Sequence, residues 1–364
     1  MVQEAGSQLP LPQELGQARI KVVGVGGGGV NVIRRMAGIS IPGVELLCIN
    51  TDRASLESTA GLPVLAIGAQ LTRGLGAGGD PEKGRLAAQE SQEQIRQQLE
   101  GADLVLIAAG MGGGTGTGAA PVVAAAAKEA GALTIAVVTT PFAFEGPKRR
   151  GIAASGLTPL EIMADTVIVV SNQRLMALAK RRTSIVDSFG QADRVVVDAI
   201  MAISRIINVP GDINVDFADI EAVVSHGGLG VVAVGEGRGS HRVRKAVQAA
   251  VANPLMARSA HGARGLLYLI TGGPDLTLAE LNDAGSFIAD VADPGAQIIF
   301  GMNVDYERGE EDPVEAVVIA TRLPEEETPP PHADISDDER VEMATAHYYG
   351  GGRLPAFLHE DARR

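Results

Sequence analysis

Cysteine and tryptophan are nearly missing from this sequence. Across 364 residues there is one thiol, Cys48, no Trp, and aromatics make up only 3 %. A lone thiol cannot form an internal disulfide, which fits a reducing compartment. Cys48 lies inside the apolar run VELLCIN, where a cysteine acts as a small hydrophobe. So few rings argue against a single-strand nucleic-acid binder, which needs stacking platforms. Positive charge is short as well: 31 Lys and Arg against 44 Asp and Glu leave a formal net charge of −13. That balance argues against a phosphate-backbone partner, so no nucleic acid is expected. No window reaches the ~18 uninterrupted apolar residues of a membrane span. The opening MVQEAGSQLPLPQELGQ lacks the basic and apolar regions of a signal peptide. The chain therefore reads as cytoplasmic, without direct membrane insertion.

Apolar residues reach 45 %, so the cores must be aliphatic. From Arg19 onward, short β-branched runs alternate with helix-like stretches, the pattern of a parallel α/β sheet. The strands expected are 20–25, 44–50, 104–109, 133–139 and 166–171, nearly continuous apolar runs that suit strands covered on both faces. Helices are expected over 81–99 and 119–130, the first opened by Asp80 as N-cap and Pro81 at the first helical position. A long helix-like segment, 184–207, has apolar positions recurring at three and four, and NVPGD breaks it. A second α/β block over 208–323 has strands near 229–234, 265–271, 297–303 and 314–321, with helices near 241–252 and 278–291. The expected organisation is a tail, 1–18, and a Rossmann-like parallel-sheet domain, 19–183. The linking helix, 184–207, the smaller α/β domain, an acidic Pro-rich linker, 324–352, and a closing segment, 353–364, follow.

Three glycine loops hold the chemistry. Gly24-Val25-Gly26-Gly27-Gly28-Gly29 lies between a strand and a helix, where glycine lets backbone approach an anion at a helix N-terminus. It also satisfies G-x-G-x-x-G, and Asp52 stands where a dinucleotide enzyme keeps its ribose-binding acid, so an NAD-dependent oxidoreductase is a competing reading. The second loop, Met111-Gly112-Gly113-Gly114-Thr115-Gly116-Thr117-Gly118, shifts the balance, because it forms an anion nest at a second helix start. The third, Gly74-Leu75-Gly76-Ala77-Gly78-Gly79-Asp80, can close over the end of a longer phosphate chain. Three such loops suit a nucleoside triphosphate. There is no G-x-x-x-x-G-K-[ST], so the chain is not a P-loop protein.

VGVGGGGVN, NTD, LTRGLGAGGDP, AAGMGGGTGTGAAPVVA, PFAFEGPKRR and INVDFADI, in this order, resemble the successive motifs of the FtsZ family of bacterial cell-division proteins, relatives of tubulin. The resemblance spans about residues 19–323. It implies a GTPase that binds GTP or GDP with Mg²⁺ and polymerises head to tail with itself at the division site at mid-cell. Gly27, Gly28, Gly29, Val30 and Asn31 would hold phosphates and approach the base or sugar. Gly114, Thr115 and Gly116 would wrap the phosphates, and Ala77, Gly78 and Gly79 would face the γ-phosphate. Glu145 and Arg149 would contact the ribose and phosphate region, Phe189 would stack on guanine, and Asp193 would accept from its N1–H and 2-amino group. Asn214, Asp216 and Asp219 would act catalytically in the site of the next subunit, where positioning and charge matter most. From spacing alone, Asp216 and Asp219 also read as acids favoured at a helix N-terminus. No protein metal site is expected, since Mg²⁺ would bridge phosphates. The closing LPAFL resembles the peptide by which the family docks on membrane tethers and division regulators.

Several positions depart from the family pattern. Pro147 interrupts the basic run after Glu145, where a helix would start, and the stretch SHGGLGVVAVGEGRGS, 225–240, is richer in glycine than expected. Val30 replaces a small residue and could narrow the base side of the first loop. Asp80 replaces a common Asn and would put a carboxylate near the γ-phosphate. A polymer former that binds GTP but barely hydrolyses it is therefore a further alternative.

Overall fold

A computed structural model of the chain describes residues 17–59, 61–178, 184–208, 211–255, 258–309 and 311–324. The expectations for 1–16, 325–352 and 353–364 lie outside these residues. In chain order the elements are β1 (Ile20–Val25), α1 (Gly26–Met36), β2 (Val44–Asn50), α2 (Arg53–Glu57), β3 (Val64–Ala66), α3 (Ala69–Thr72), α4 (Pro81–Glu90) and α5 (Gln92–Leu99). There follow β4 (Leu104–Gly110), α6 (Thr115–Glu129), β5 (Leu133–Thr140), α7 (Pro147–Met163), β6 (Thr166–Ser171), α8 (Asn172–Leu178) and α9 (Ile185–Asn208). The remainder is α10 (Phe217–Val224), β7 (Gly228–Gly237), α11 (Arg242–Val251), β8 (Gly265–Gly272), α12 (Leu278–Val291), β9 (Gln297–Val304) and β10 (Val314–Thr321).

The strands align as β3-β2-β1-β4-β5-β6-β7-β10-β8-β9. From β3 to β6 every pairing is parallel, as the alternating pattern predicts. The sheet then continues into the second half through a short parallel pairing of β6 with β7, Thr166–Gly228 to Ile168–Gly230. Beyond it, β10 lies antiparallel between β7 and β8, and β8 pairs parallel with β9. A core beneath one face runs across both halves, from Ile20 and Val22 of β1 through Ile200 and Ile203 of α9 to Val247 of α11 and Leu267 of β8. The opposite face of the first half is covered by helices including α5, α6 and α7. In the second half consecutive residues such as Val317, Val318 and Ile319 of β10 are all buried, so both faces are covered there as well.

Several elements differ from their expected bounds. The helix expected over 81–99 is broken at Ser91, whose hydroxyl accepts the Gly68 N–H at 3.1 Å and stitches the break to the turn before α3. Helix α6 starts at Thr115 rather than 119, so the glycine loop itself supplies the first turn. In β7, Gly235 and Gly237 bring the strand against α11: a Cβ there would lie 2.2 Å from Ala246 O and 1.9 Å from Arg242 O. Close helix–strand packing therefore accounts for the glycine-rich stretch.

Candidate nucleotide site

Parallel strands end at one edge of a sheet, and helices that follow them begin there, so helix N-termini collect at that edge. Here α1 follows β1 and α6 follows β4, which are neighbours in the sheet. Gly26 turns the chain with φ +70°, and a Cβ on it would lie 2.7 Å from Gly116 N, so the two loops touch backbone to backbone. Neither helix start has a side-chain cap, and neither has an acid in its first turn. Their free N–H groups and dipoles therefore face the edge uncompensated, a favourable place for an anion. Side-chain caps close other helix starts, with Asp80 at α4, Asp216 at α10 and Thr277 at α12 each accepting backbone N–H groups. Helices α5, α7 and α11 also begin without one, whereas α1 and α6 begin side by side in the glycine loops.

The third loop closes against the second. Gly74, Gly76, Gly78 and Gly79 all have positive φ, between +63° and +83°, a region that only glycine enters cheaply. A Cβ on Gly114 would meet Ala77 Cβ at 2.7 Å and Asp80 N at 2.9 Å. The Thr115 hydroxyl lies 2.6 Å from that of Thr51, and Thr117 accepts the Gly112 N–H at 2.9 Å, which fixes the loop.

These loops and the start of α9 enclose a cavity of about 580 Å³. Of the expected binding residues, Gly27, Gly28, Asn31, Ala77, Gly78, Gly79, Gly114, Thr115, Gly116, Glu145, Arg149, Phe189 and Asp193 line it. Gly29 and Val30 do not. A Cβ on Gly29 would fall 2.2 Å from Ala108 O, and Val30 is 1 % exposed in the core, because the helical turn rotates both onto the sheet. The expectation that Val30 narrows the base side is thus corrected. Asp80 does not line the cavity either. Its Oδ1 accepts the Glu82 N–H at 3.0 Å and so serves as the cap of α4.

At the far end, Phe189 stands edge-on to Phe142 at 5.2 Å and is 38 % exposed, which leaves ring surface for a base. Asp193 Oδ2 accepts from Arg35 Nε at 3.0 Å. Burial pushes the Asp193 carboxyl above its usual range, and the Arg35 bond and charge pull against that. Glu145 accepts the Phe142 N–H at 2.8 Å and pairs with Arg149 on the rim. Sequence reasoning missed Asn50, Thr139 and Asn172 as lining residues. Asn172 Oδ1 is buried without a hydrogen-bond partner, in a wall of the cavity. No motif marks it; its place at the carboxyl end of β6 was the available signal.

The three acidic-loop residues lie elsewhere, and none lines this cavity. Helix α9 leaves the cavity at Asp193, and its rise takes the chain about 22 Å further to Asn208. There the Asn208 amide donates to Ala18 O at 3.0 Å and to Pro42 O at 2.8 Å, at the amino edge where β1 and β2 begin. The loop beyond is fastened to β9 by reciprocal Ile213–Met302 backbone bonds of 3.0 Å. Asn214 Oδ1 accepts the Gly211 N–H at 2.6 Å. Asp216 and Asp219 form a reciprocal capping box, with Asp216 Oδ1 accepting the Asp219 N–H at 2.8 Å. Asn214 and Asp216 are exposed. Among the described residues no group of three or more His, Cys, Asp or Glu could hold a metal, and no helix is long and apolar enough to cross a membrane.

Comparison with known proteins agrees with this geometry. Residues 19–180 match the family model "Tubulin/FtsZ family, GTPase domain" and residues 228–324 match "FtsZ family, C-terminal domain". An empty FtsZ dimer from M. jannaschii is 40% identical, covers 85% of this chain and 89% of its own, and superposes with a TM-score of 0.77. A single-substitution mutant of that FtsZ gives 40% identity, coverage of 84% and 92%, and the same TM-score of 0.77. A GTPγS-bound protofilament of CetZ2 from Haloferax volcanii shares the fold, with a TM-score of 0.70 at 21% identity over 91% of this chain and 98% of its own.

Proposed function

Because the chain belongs to the tubulin/FtsZ family and is a polymer-forming GTPase of that family, we propose that its hydrolytic site is assembled from two copies. One copy holds GTP or GDP in the three-loop cavity, and the next brings Asn214, Asp216 and Asp219 to the γ-phosphate. The observation that carries this reading is the separation along α9. A cavity rich in uncapped N–H groups and the exposed acids lie at opposite edges of the sheet. A carboxylate on its own chain therefore cannot reach its own nucleotide, whereas head-to-tail stacking brings the two edges together.

In this reading 19–183 is the nucleotide-binding part, 184–207 the linking helix and 208–323 the part that supplies the acids. Backbone N–H groups of Gly27, Gly28, Gly114, Thr115 and Gly116 bind phosphate oxygens, and Ala77, Gly78 and Gly79 close over the γ-phosphate. Phe189 stacks on the base, and Asp193, oriented by Arg35, accepts from guanine N1–H and the 2-amino group. Glu145 and Arg149 lie toward the ribose. Asp216 and Asp219 orient the attacking water, a role in which positioning supplies most of the acceleration. Three carboxylates line the cavity, Asp52, Glu145 and Asp193. Glu145 is paired with Arg149 and Asp193 with Arg35, and a bound Mg²⁺ would offset the charge of the phosphates.

The segment LPAFL is proposed as the docking peptide for membrane tethers and division regulators at mid-cell. The test of the two-copy site is GTPase rate per molecule against protein concentration. It rises steeply with concentration if the site forms at a junction. A rate per molecule that stays constant down to concentrations where only single chains sediment rejects the reading.

A further inference from the structure

On the outer face, α4, α6 and α7 enclose an open groove of about 640 Å³ that the nucleotide does not use. Its α6 and α7 sides are largely apolar, with Pro121, Val122 and Ala125 from α6 facing Ile152, Pro159 and Met163 from α7, while α4 contributes the ion-paired Glu82 and Arg85 to the remaining rim. Near its lower end Ile162 is 69 % exposed. Apolar concavities of this kind on a folded chain mark interaction sites.

We propose that this groove is the docking site for the chain's own segment 353–364, bound in cis through its LPAFL run. Three observations select that occupant. First, the described chain leaves the fold at the groove's lower end. Arg258 donates to Pro324 O, and the Arg258 charge also acts on Glu161, in the last turn of α7 beside Pro159 and Met163. Second, the lengths agree. Thirty residues separate Pro324 from Leu354, a tether with a root-mean-square span of roughly 30 Å. Helix α7 is about 25 Å long, and five extended residues cover about 17 Å. Third, the charges agree. A segment entering from Pro159 and running up the groove places Leu354, Phe357 and Leu358 over the apolar floor. Glu360 and Asp361, which follow, then arrive at Lys148 on the upper rim. A tether of this length holds the segment at millimolar effective concentration, so a weak intrinsic affinity suffices.

The test is cysteine cross-linking in the full chain, kept dilute and in GDP. Ser155→Cys places a thiol on the exposed rim of the groove, and Ala356→Cys places one in the tail. The control pairs Ala356→Cys with Ser286→Cys, exposed on α12. Native Cys48 stays out of the exchange, because burial pushes its thiol up to about 11. Under diamide, the groove pair closes an intrachain disulfide at least about tenfold faster than the control, in line with docking rather than random encounter. Phe357→Ser, added to the pair, returns the rate to that of the control. A rate equal to the control, indifference to Phe357→Ser, or a disulfide that forms only between chains and scales with concentration overturns the proposal.

Discussion

Replacing Asp216 by Asn separates catalysis from folding at one position. The carboxylate caps α10 by accepting the Asp219 N–H at 2.8 Å, and the backbone N–H of Asp216 donates to Asp219 Oδ2 at 3.3 Å. An alanine there removes the cap and costs about 1 kcal/mol, roughly 2 °C in melting temperature for a chain of this size. An asparagine keeps an acceptor oxygen and caps about as well as aspartate, so its cost is a few tenths of a kcal/mol. Its charge, however, is gone. Loss of one preorganised electrostatic contact at a transition state lowers turnover about 10²-fold or more, close to 2.7 kcal/mol. Asp216→Asn should therefore bind GTP with the parent's affinity, melt within about 1 °C of it, and release phosphate at least about a hundred times more slowly. Phosphate release, nucleotide affinity by fluorescence and a thermal melt on one preparation decide the matter. An Asn variant that turns over like the parent leaves Asp216 as a helix cap and nothing more.

Guanine binding should weaken as pH falls through the raised Asp193 value, because the protonated carboxyl no longer accepts from both guanine donors. Arg35 opposes that rise, so Arg35→Ala should move the loss to higher pH; a fluorescent guanine nucleotide titrated across pH 4 to 7 measures it, and an unshifted profile rejects the pairing. Val30→Ala should cost about 2 kcal/mol of stability through lost burial and a residual cavity, with nucleotide affinity unchanged. A change in affinity without a change in stability would return Val30 to the base wall. Asn172→Leu should weaken GTP binding about tenfold, since a buried acceptor without a partner in the cavity wall is a ready ligand for a base.

Much of this was legible in the sequence because the strands are continuous apolar runs and the glycine loops interrupt them at carboxyl ends. Ile20–Val25, Val44–Asn50 and Thr166–Ser171 stand where their β-branched runs predict. What escaped had weak local signals. Helix α7 contains Gly151, Gly156 and Pro159 and lacks a clear apolar stripe, so its 17 residues passed unmarked beyond its opening proline. β3 is three residues long and draws its order from β2. The pairing of β6 with β7 is tertiary and leaves no local pattern. Gly29 and Val30 illustrate the opposite error. Adjacency in a motif suggested adjacency in a site, whereas helical rotation places Gly27, Gly28 and Asn31 at the cavity and turns the residues between them onto the sheet. Asp80 carried two readings from sequence, N-cap of the helix at Pro81 and carboxylate near the γ-phosphate, and its Oδ1 goes to the N–H donors of its own helix, as the first expects.

The claim that two copies build one hydrolytic site is tested most directly by mixing two inactive variants. Asp216→Asn keeps an intact cavity and lacks the acid, and Asp193→Ala keeps the acid and has a damaged cavity. Combined one to one, about a quarter of head-to-tail junctions pair an intact cavity with an intact acid. GTPase activity of the mixture should then return to about that fraction of the parent's. A mixture no more active than the sum of its parts would contradict the account.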